Sequence, residues 1–229
     1  MNGGSGLALD TDPPRTGRSN RTLRLVDDPR AKGADVASDP KSDSSPVRNG
    51  ILVASPQMID PNFSRTVVLL CDYGEGGALG LVVNRKTDIP LAEVLRQMEI
   101  PDDGGICGPV LWGGPVQPGS VFLTFSGKSP ESDQENPIFS IGEGLHVSPS
   151  RQIIQSVAES DNAPGAFITL GYAGWAPGQL DGEIRGGSWI VLEVNPDVIF
   201  QLPPEARYDR CIASLGVDES MLWMRPVDE

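Results

Sequence analysis

The chain has one histidine, three cysteines and only 6% aromatic residues over 229 positions. With a single imidazole, His146, a Ser-His-Asp or Cys-His mechanism has one choice of base, and a zinc site would lack a second imidazole. Cys71, Cys107 and Cys211 are odd in number, far apart and without CxxC spacing, so they form neither a disulfide framework nor a zinc knuckle. No HExxH or GxSxG string occurs, which removes the metalloprotease and nucleophile-elbow signatures. No apolar run approaches the roughly 20 residues of a membrane helix. The amino terminus, MNGGSGLALDTDPPRTGRSN, has no basic start followed by an apolar stretch, so no secretory signal is read there. The expectation is a cytoplasmic protein with reduced thiols, no membrane association, no metal and no cofactor.

Basic residues are also scarce: 18 Lys and Arg face 31 Asp and Glu, for a net charge of −13. Eight of the basic and seven of the acidic side chains lie in residues 1–48, leaving ten basic against 24 acidic, or −14, for residues 49–229. A surface of that sign repels a polyanion, so direct nucleic-acid binding is not expected. The expected partner is a protein or a small molecule.

Residues 1–47 are rich in Gly, Ser, Asp, Pro and Arg without a sustained apolar period, and are expected to form a disordered tail. Within it Arg15, Arg18, Arg21 and Arg24 recur every third residue, with Thr16, Ser19 and Thr22 between them, a small patch for an anionic partner or for phosphorylation. Residues 48–229 are expected to form one α+β domain. Strand-length runs rich in branched residues occur at 51–54, 66–70, 79–83, 110–112, 120–125, 166–170 and 188–194. Leu91, Val94, Leu95 and Met98 fall at helical spacing behind Asp88 and Pro90. Ser148 and Pro149 open a second helix through Val157, Asn195 and Pro196 a short one through Phe200, and a last one carries Tyr208 to Leu215 before Gly216.

Four stretches invite a chemical reading. Between the first two strands, Asp60-Pro61-Asn62 reads as a turn cap, with Arg65 as its ion-pair partner or as a ligand for an anion. Gly74 to Gly80 is glycine-rich but has no Gly-Lys-Ser/Thr and leads into a strand, so a phosphate loop is rejected. Trp112 precedes Gly113 and Gly114, which would let a ligand or another backbone approach a flat apolar wall. Gly171 to Ile184 is the densest: Gln179 and Glu183 share one helix face, over a pocket walled by Tyr172 and Trp175.

The runs Gly50–Pro56 and Asp60–Val68, Gly77–Arg85, Gly113-Gly114-Pro115-Val116 and Gly171–Trp175 with Gly178-Gln179-Leu180 and Glu183-Ile184 resemble the YqgE/AlgH family, in order, over residues 50 to about 225. The resemblance implies a single α+β domain with a bifurcated, partly barrel-like mixed sheet surrounded by helices. It implies little about activity beyond a regulatory role in transcription for some bacterial members. Relatives often end in Gly-His-Ala, whereas this chain ends Met221-Leu222-Trp223-Met224-Arg225-Pro226-Val227-Asp228-Glu229.

Three functional readings stay open. The first is a non-catalytic binding or regulatory module that acts without touching DNA. The second is a small-metabolite enzyme with a cleft of Asp60, Arg65, Asn84, Trp112, Tyr172, Trp175, Gln179 and Glu183, in which Glu183 or Asp60 supplies the acid or base. In the third the motifs are architectural and the tail carries the function.

Overall fold

Short branched runs separated by glycine turns pair readily with their neighbours, and they do so here in one forked sheet. The computed structural model describes residues 50–127, 136–142, 144–160 and 165–216. The expected tail with its arginine patch, and the terminal segment from residue 217, lie outside the described residues. The elements run β1 (Gly50–Ala54), β2 (Val67–Gly74), β3 (Gly77–Val82), α1 (Leu91–Gln97), β4 (Val110–Trp112), β5 (Val116–Ser126), β6 (Phe139–Ser140), β7 (Leu145–Ser148) and α2 (Arg151–Ala158). They continue with β8 (Phe167–Trp175), α3 (Gln179–Arg185), β9 (Trp189–Glu193), α4 (Pro196–Phe200) and α5 (Pro204–Ser214).

Nine strands join in the order β6-β7-β5-β8-β3-β2-β1-β9, with β4 beside β8 off that path. All pairs are antiparallel except β4 with β8, so the sheet is mixed. The fork lies on one edge of β8. Ile168, Thr169 and Leu170 pair with β4, and Ala173, Gly174 and Trp175 pair with β3. Across the fork the Gly113 carbonyl accepts from the Val82 amide at 2.8 Å, while the Gly113 amide donates to Leu170 at 2.7 Å. No ladder joins the two ends of the path among the described residues, yet β6 comes within 8 Å of β2 between Cα atoms. The sheet is therefore curled but open, the partly barrel-like form expected.

Strand alternation divides the interior into two cores. On β5, Val121, Leu123 and Phe125 face one cluster with Ile168 and Leu170 of β8 and with α1 and α2. Phe122 and Phe167 face the other, inside the curl, with β1, β2, β3, β7, α4 and α5. Element ends differ from expectation where side chains compete for backbone groups. Pro90, not Asp88, is the N-cap of α1 and makes no side-chain bond. Ser150 caps α2 through the Ile153 amide, and Ser148, the expected cap, instead donates its hydroxyl to Pro137 at 2.8 Å. The strand β5 begins at Val116, four residues before the run expected at 120–125, so the chain just after Gly114 is already paired backbone. The strand expected over 166–170 runs on through Gly171–Trp175, and Gly178 at φ 73° makes the turn into α3. Asn195 caps α4 as expected, its side chain accepting from Asp197.

Candidate functional site

The 55–66 loop is held closed from several sides. Asp60 accepts from the Asn62 amide through its side chain at 2.8 Å, and its carbonyl receives Phe63 and Ser64, which makes the tight turn the motif suggested. Asn84 reaches back from the end of β3, donating to the Arg65 carbonyl and accepting from the Val67 amide, both at 2.9 Å. Arg85 adds a bond to the Ser64 carbonyl at 2.9 Å. This bracing holds Phe63 against the far end of β8.

There Phe63, Trp175 and Trp189 form a cluster of rings with centroids 5.5 to 6.3 Å apart. Trp175 needs space, and a glycine provides it: a Cβ on Gly80 would stand 2.6 Å from Val68 and 3.3 Å from the Trp175 ring. The glycine run that resembles a phosphate loop in composition is thus a seat for an indole.

The two indoles share one acceptor. Trp175 Nε1 donates to Glu183 Oε2 at 2.9 Å and Trp189 Nε1 to the same oxygen at 2.8 Å, while Gln179 Nε2 donates to Glu183 Oε1 at 2.9 Å. The other end of the Gln179 amide accepts from the Ala176 amide at 3.0 Å, tying α3 to the end of β8. Gln179 and Glu183 do share a helix face, as their four-residue spacing implies. Charge-assisted bonds of this kind are roughly twice as strong as neutral ones, so Glu183 is the bracket that fixes both tryptophans.

Around this bracket lies a cleft of about 260 Å³. It is lined by Met58, Asp60 and Phe63 of the 55–66 loop, by Gly174 and Trp175 of β8, by Gln179 and Glu183 of α3, and by Ser188 and Trp189. Of the residues singled out in the sequence, the structure brings Asp60, Trp175, Gln179 and Glu183 together here.

The others stand elsewhere. Arg65 does not meet Asp60; its guanidinium pairs with Asp209 at 2.5 Å and lies over the Tyr208 ring at 4.6 Å. Tyr172 and Trp175 are three apart on one strand and so point to opposite faces; Tyr172 packs edge-on to Phe122 at 6.0 Å, and burial raises its hydroxyl pKa. Trp112 lies under Arg85 at 5.2 Å. Gly113 and Gly114 press on the β8 backbone, where a Cβ would meet Gly171 and Tyr172 at 2.2 Å, so it is the strand rather than a ligand that approaches them. Asn84 is the loop brace already described.

Five lining residues were not singled out as candidates in the sequence: Met58, Phe63, Gly174, Ser188 and Trp189. Trp189 stands six residues after Glu183, beyond the Gly186-Gly187 turn, and nothing local distinguishes it from an ordinary first strand residue. Arg85 was missed too; burial lowers its pKa while the charge of Asp60 opposes that shift. Arg207 is 3% exposed, donates to the carbonyls of Val83 and Leu202, and is lowered by burial to about 10. It locks α5 to the end of β3 and does not line the cleft.

His146 is buried on β7. Its Nε2 lies 3.0 Å from the Gly127 carbonyl, to which it donates, and Nδ1 lies 3.1 Å from Ser140 Oγ, so both ring nitrogens are engaged within the sheet. Among the described residues no three His, Cys, Asp or Glu side chains are grouped to hold a metal, and no helix is long and apolar enough to cross a membrane.

A family described as AlgH-like matches residues 51–220. A UPF0301 protein of Thioalkalivibrio sulfidiphilus is 37% identical over 180 residues, 78% of this chain and 95% of its own. Another from Burkholderia vietnamiensis is 39% identical over 183 residues, 79% of this chain and 94% of its own. Among solved structures, the AlgH protein from Pseudomonas aeruginosa is similar with a TM-score of 0.64 and 33% identity, over 83% of this chain and all of that one. Protein DIP2367 from Corynebacterium diphtheriae shares the fold at a TM-score of 0.61, 20% identity and coverage of 79% and 93%.

Proposed function

The chain belongs to the AlgH-like family, and from that premise we propose that it is a cytoplasmic, non-catalytic binding module with a regulatory role, which holds a small molecule or a partner segment in the cleft between the 55–66 loop and α3. One observation carries the reading. Glu183, the residue best placed for acid-base work, already accepts from two indoles and an amide, so its lone pairs hold the walls in place. Pre-positioned aromatic walls with a few polar groups are the ordinary make-up of a binding cleft. Regulation of transcription would run through the bound partner, since −14 on residues 49–229 opposes direct contact with DNA.

The enzyme reading is kept alive by the convergence of Asp60, Trp175, Gln179 and Glu183 on one concavity. It would fall to Asp60, which has a single side-chain bond from the Asn62 amide, to move a proton.

Native mass spectrometry of the full chain, purified gently from its own cells, separates these. The expected result is a retained small molecule or partner that is lost in Gln179→Trp, which fills the cleft, and kept in Gln152→Trp, at an exposed position of α2. Release of a chemically altered molecule would favour the enzyme. A bare wild-type chain, or equal retention by Gln179→Trp, would overturn the cleft as the functional site.

A further inference from the structure

We infer that the cleft takes a cationic nitrogen group, an ammonium or guanidinium of side-chain size; this rests on the reading that the cleft is the functional site.

The lining is rich in acceptors and poor in donors. It has two carboxylates, Asp60 and Glu183, and no cationic side chain. Its two indole N–H groups are spent on Glu183, and one amide hydrogen of Gln179 is spent there as well. Asp60 gives one oxygen to the Asn62 amide. A carboxylate has about four lone-pair sites; Glu183 has three of them taken by Trp175, Trp189 and Gln179, while Asp60 has one taken, so the acceptor capacity left for a ligand with several donors lies mainly on Asp60. A ligand carboxylate or phosphate would instead meet two like charges and few free donors.

The nearby arginines do not take that role. Arg85 feels the charge of Asp60, yet its guanidinium donates to Ser64 and lies over Trp112. Arg65 is directed to Asp209 and Tyr208. Neither lines the cleft.

The walls suit the same charge. Phe63, Trp175 and Trp189 pack on one another, and Trp175 and Trp189 are 6% and 3% exposed, so they make a closed aromatic floor rather than an open cage, one that carries no positive charge to repel a cation and shields the carboxylates from part of the solvent. Size narrows the choice: about 260 Å³ is below the range of roughly 300–1,000 Å³ for drug-sized ligands. That volume accepts the end of one lysine or arginine, or a small free amine.

The test is an NMR titration of the full chain, read at the indole ¹⁵N–¹H signals of Trp175 and Trp189. The probes are N-acetyl-lysinamide, the same compound acetylated on Nε, agmatine, and sodium acetate. Both cationic probes should shift the two indoles, with affinity falling as salt rises, while the Nε-acetylated probe and acetate should not. Asp60→Asn, which keeps an oxygen for the Asn62 amide, should weaken cation binding by about tenfold, the loss of one charge-assisted bond. Agmatine binding more tightly than lysinamide would assign the site to free amines; the reverse order, strengthened when the lysine is placed in a peptide, would assign it to a protein side chain. Equal binding of the neutral probe, a response to acetate, or no response to either cation would overturn the cationic assignment. Failure of the cleft itself is read separately, from an unchanged mass spectrum in Gln179→Trp.

Discussion

Two threonines inside the curl have no partner for their hydroxyls. Thr124 and Thr169 are fully buried on β5 and β8, beside Phe167 and Phe122 in the strand register, and neither Oγ1 has a hydrogen-bond partner. An unpaired buried hydroxyl costs roughly 1–3 kcal/mol by mutational measure. Replacing it by a methyl of similar shape removes that cost, so Thr124→Val and Thr169→Val are each expected to stabilise the fold by about 1 kcal/mol in urea unfolding. Destabilisation by either would mean that an interior water serves these hydroxyls. The thiols at this scale are quiet by contrast: burial and the charge of Asp72 push Cys71 well up, and burial pushes Cys211 to about 11, which leaves exposed Cys107 as the accessible one.

Among the elements, the fork depends on β4 and β8 coming closer than side chains permit. Gly114 has φ 151°, and a Cβ there would lie 2.2 Å from the Tyr172 carbonyl carbon, which is backbone and cannot swing away. Gly114→Ala is therefore expected to destabilise the fold by more than about 2 kcal/mol, through strain and a displaced β4, as measured by thermal unfolding. An unchanged melting temperature would mean that the fork is not structurally required. The same element explains what the sequence could and could not tell. Branched runs such as Thr66–Leu70 and Leu79–Val83 announce strands because their pattern is local. Gln179 and Glu183 announce a shared helix face for the same reason. Whether Gly113-Gly114 faces a ligand or another strand is set by the β4–β8 pairing across more than 50 residues, which no local pattern encodes. Likewise Trp175 and Tyr172 look equivalent until one knows that the strand runs on through both, which sends them to opposite faces. Trp189 and Phe63 join the site only because three strands bring them to the same end of the sheet.

Charge is the property that belongs to the molecule as a whole. Arg15, Arg18, Arg21 and Arg24 are close together in the sequence, but residues 1–48 sum to only +1 against −14 for the rest. Binding to DNA gains most of its sequence-independent strength from neutralising phosphates and releasing counterions. A protein with ten basic against 24 acidic side chains outside the tail offers few such contacts and a repulsive field at any range the salt does not screen. The expectation is that the full chain does not retard duplex DNA in a gel even at low salt, where such binding is strongest, and that removing residues 1–47 changes nothing. Salt-sensitive retardation by the full chain that vanishes on truncation would place nucleic-acid contact in the arginine patch. Retardation that survives truncation would demand a basic surface on the domain, and would count against a cationic ligand in the cleft as well, because both expectations rest on the same excess of carboxylates.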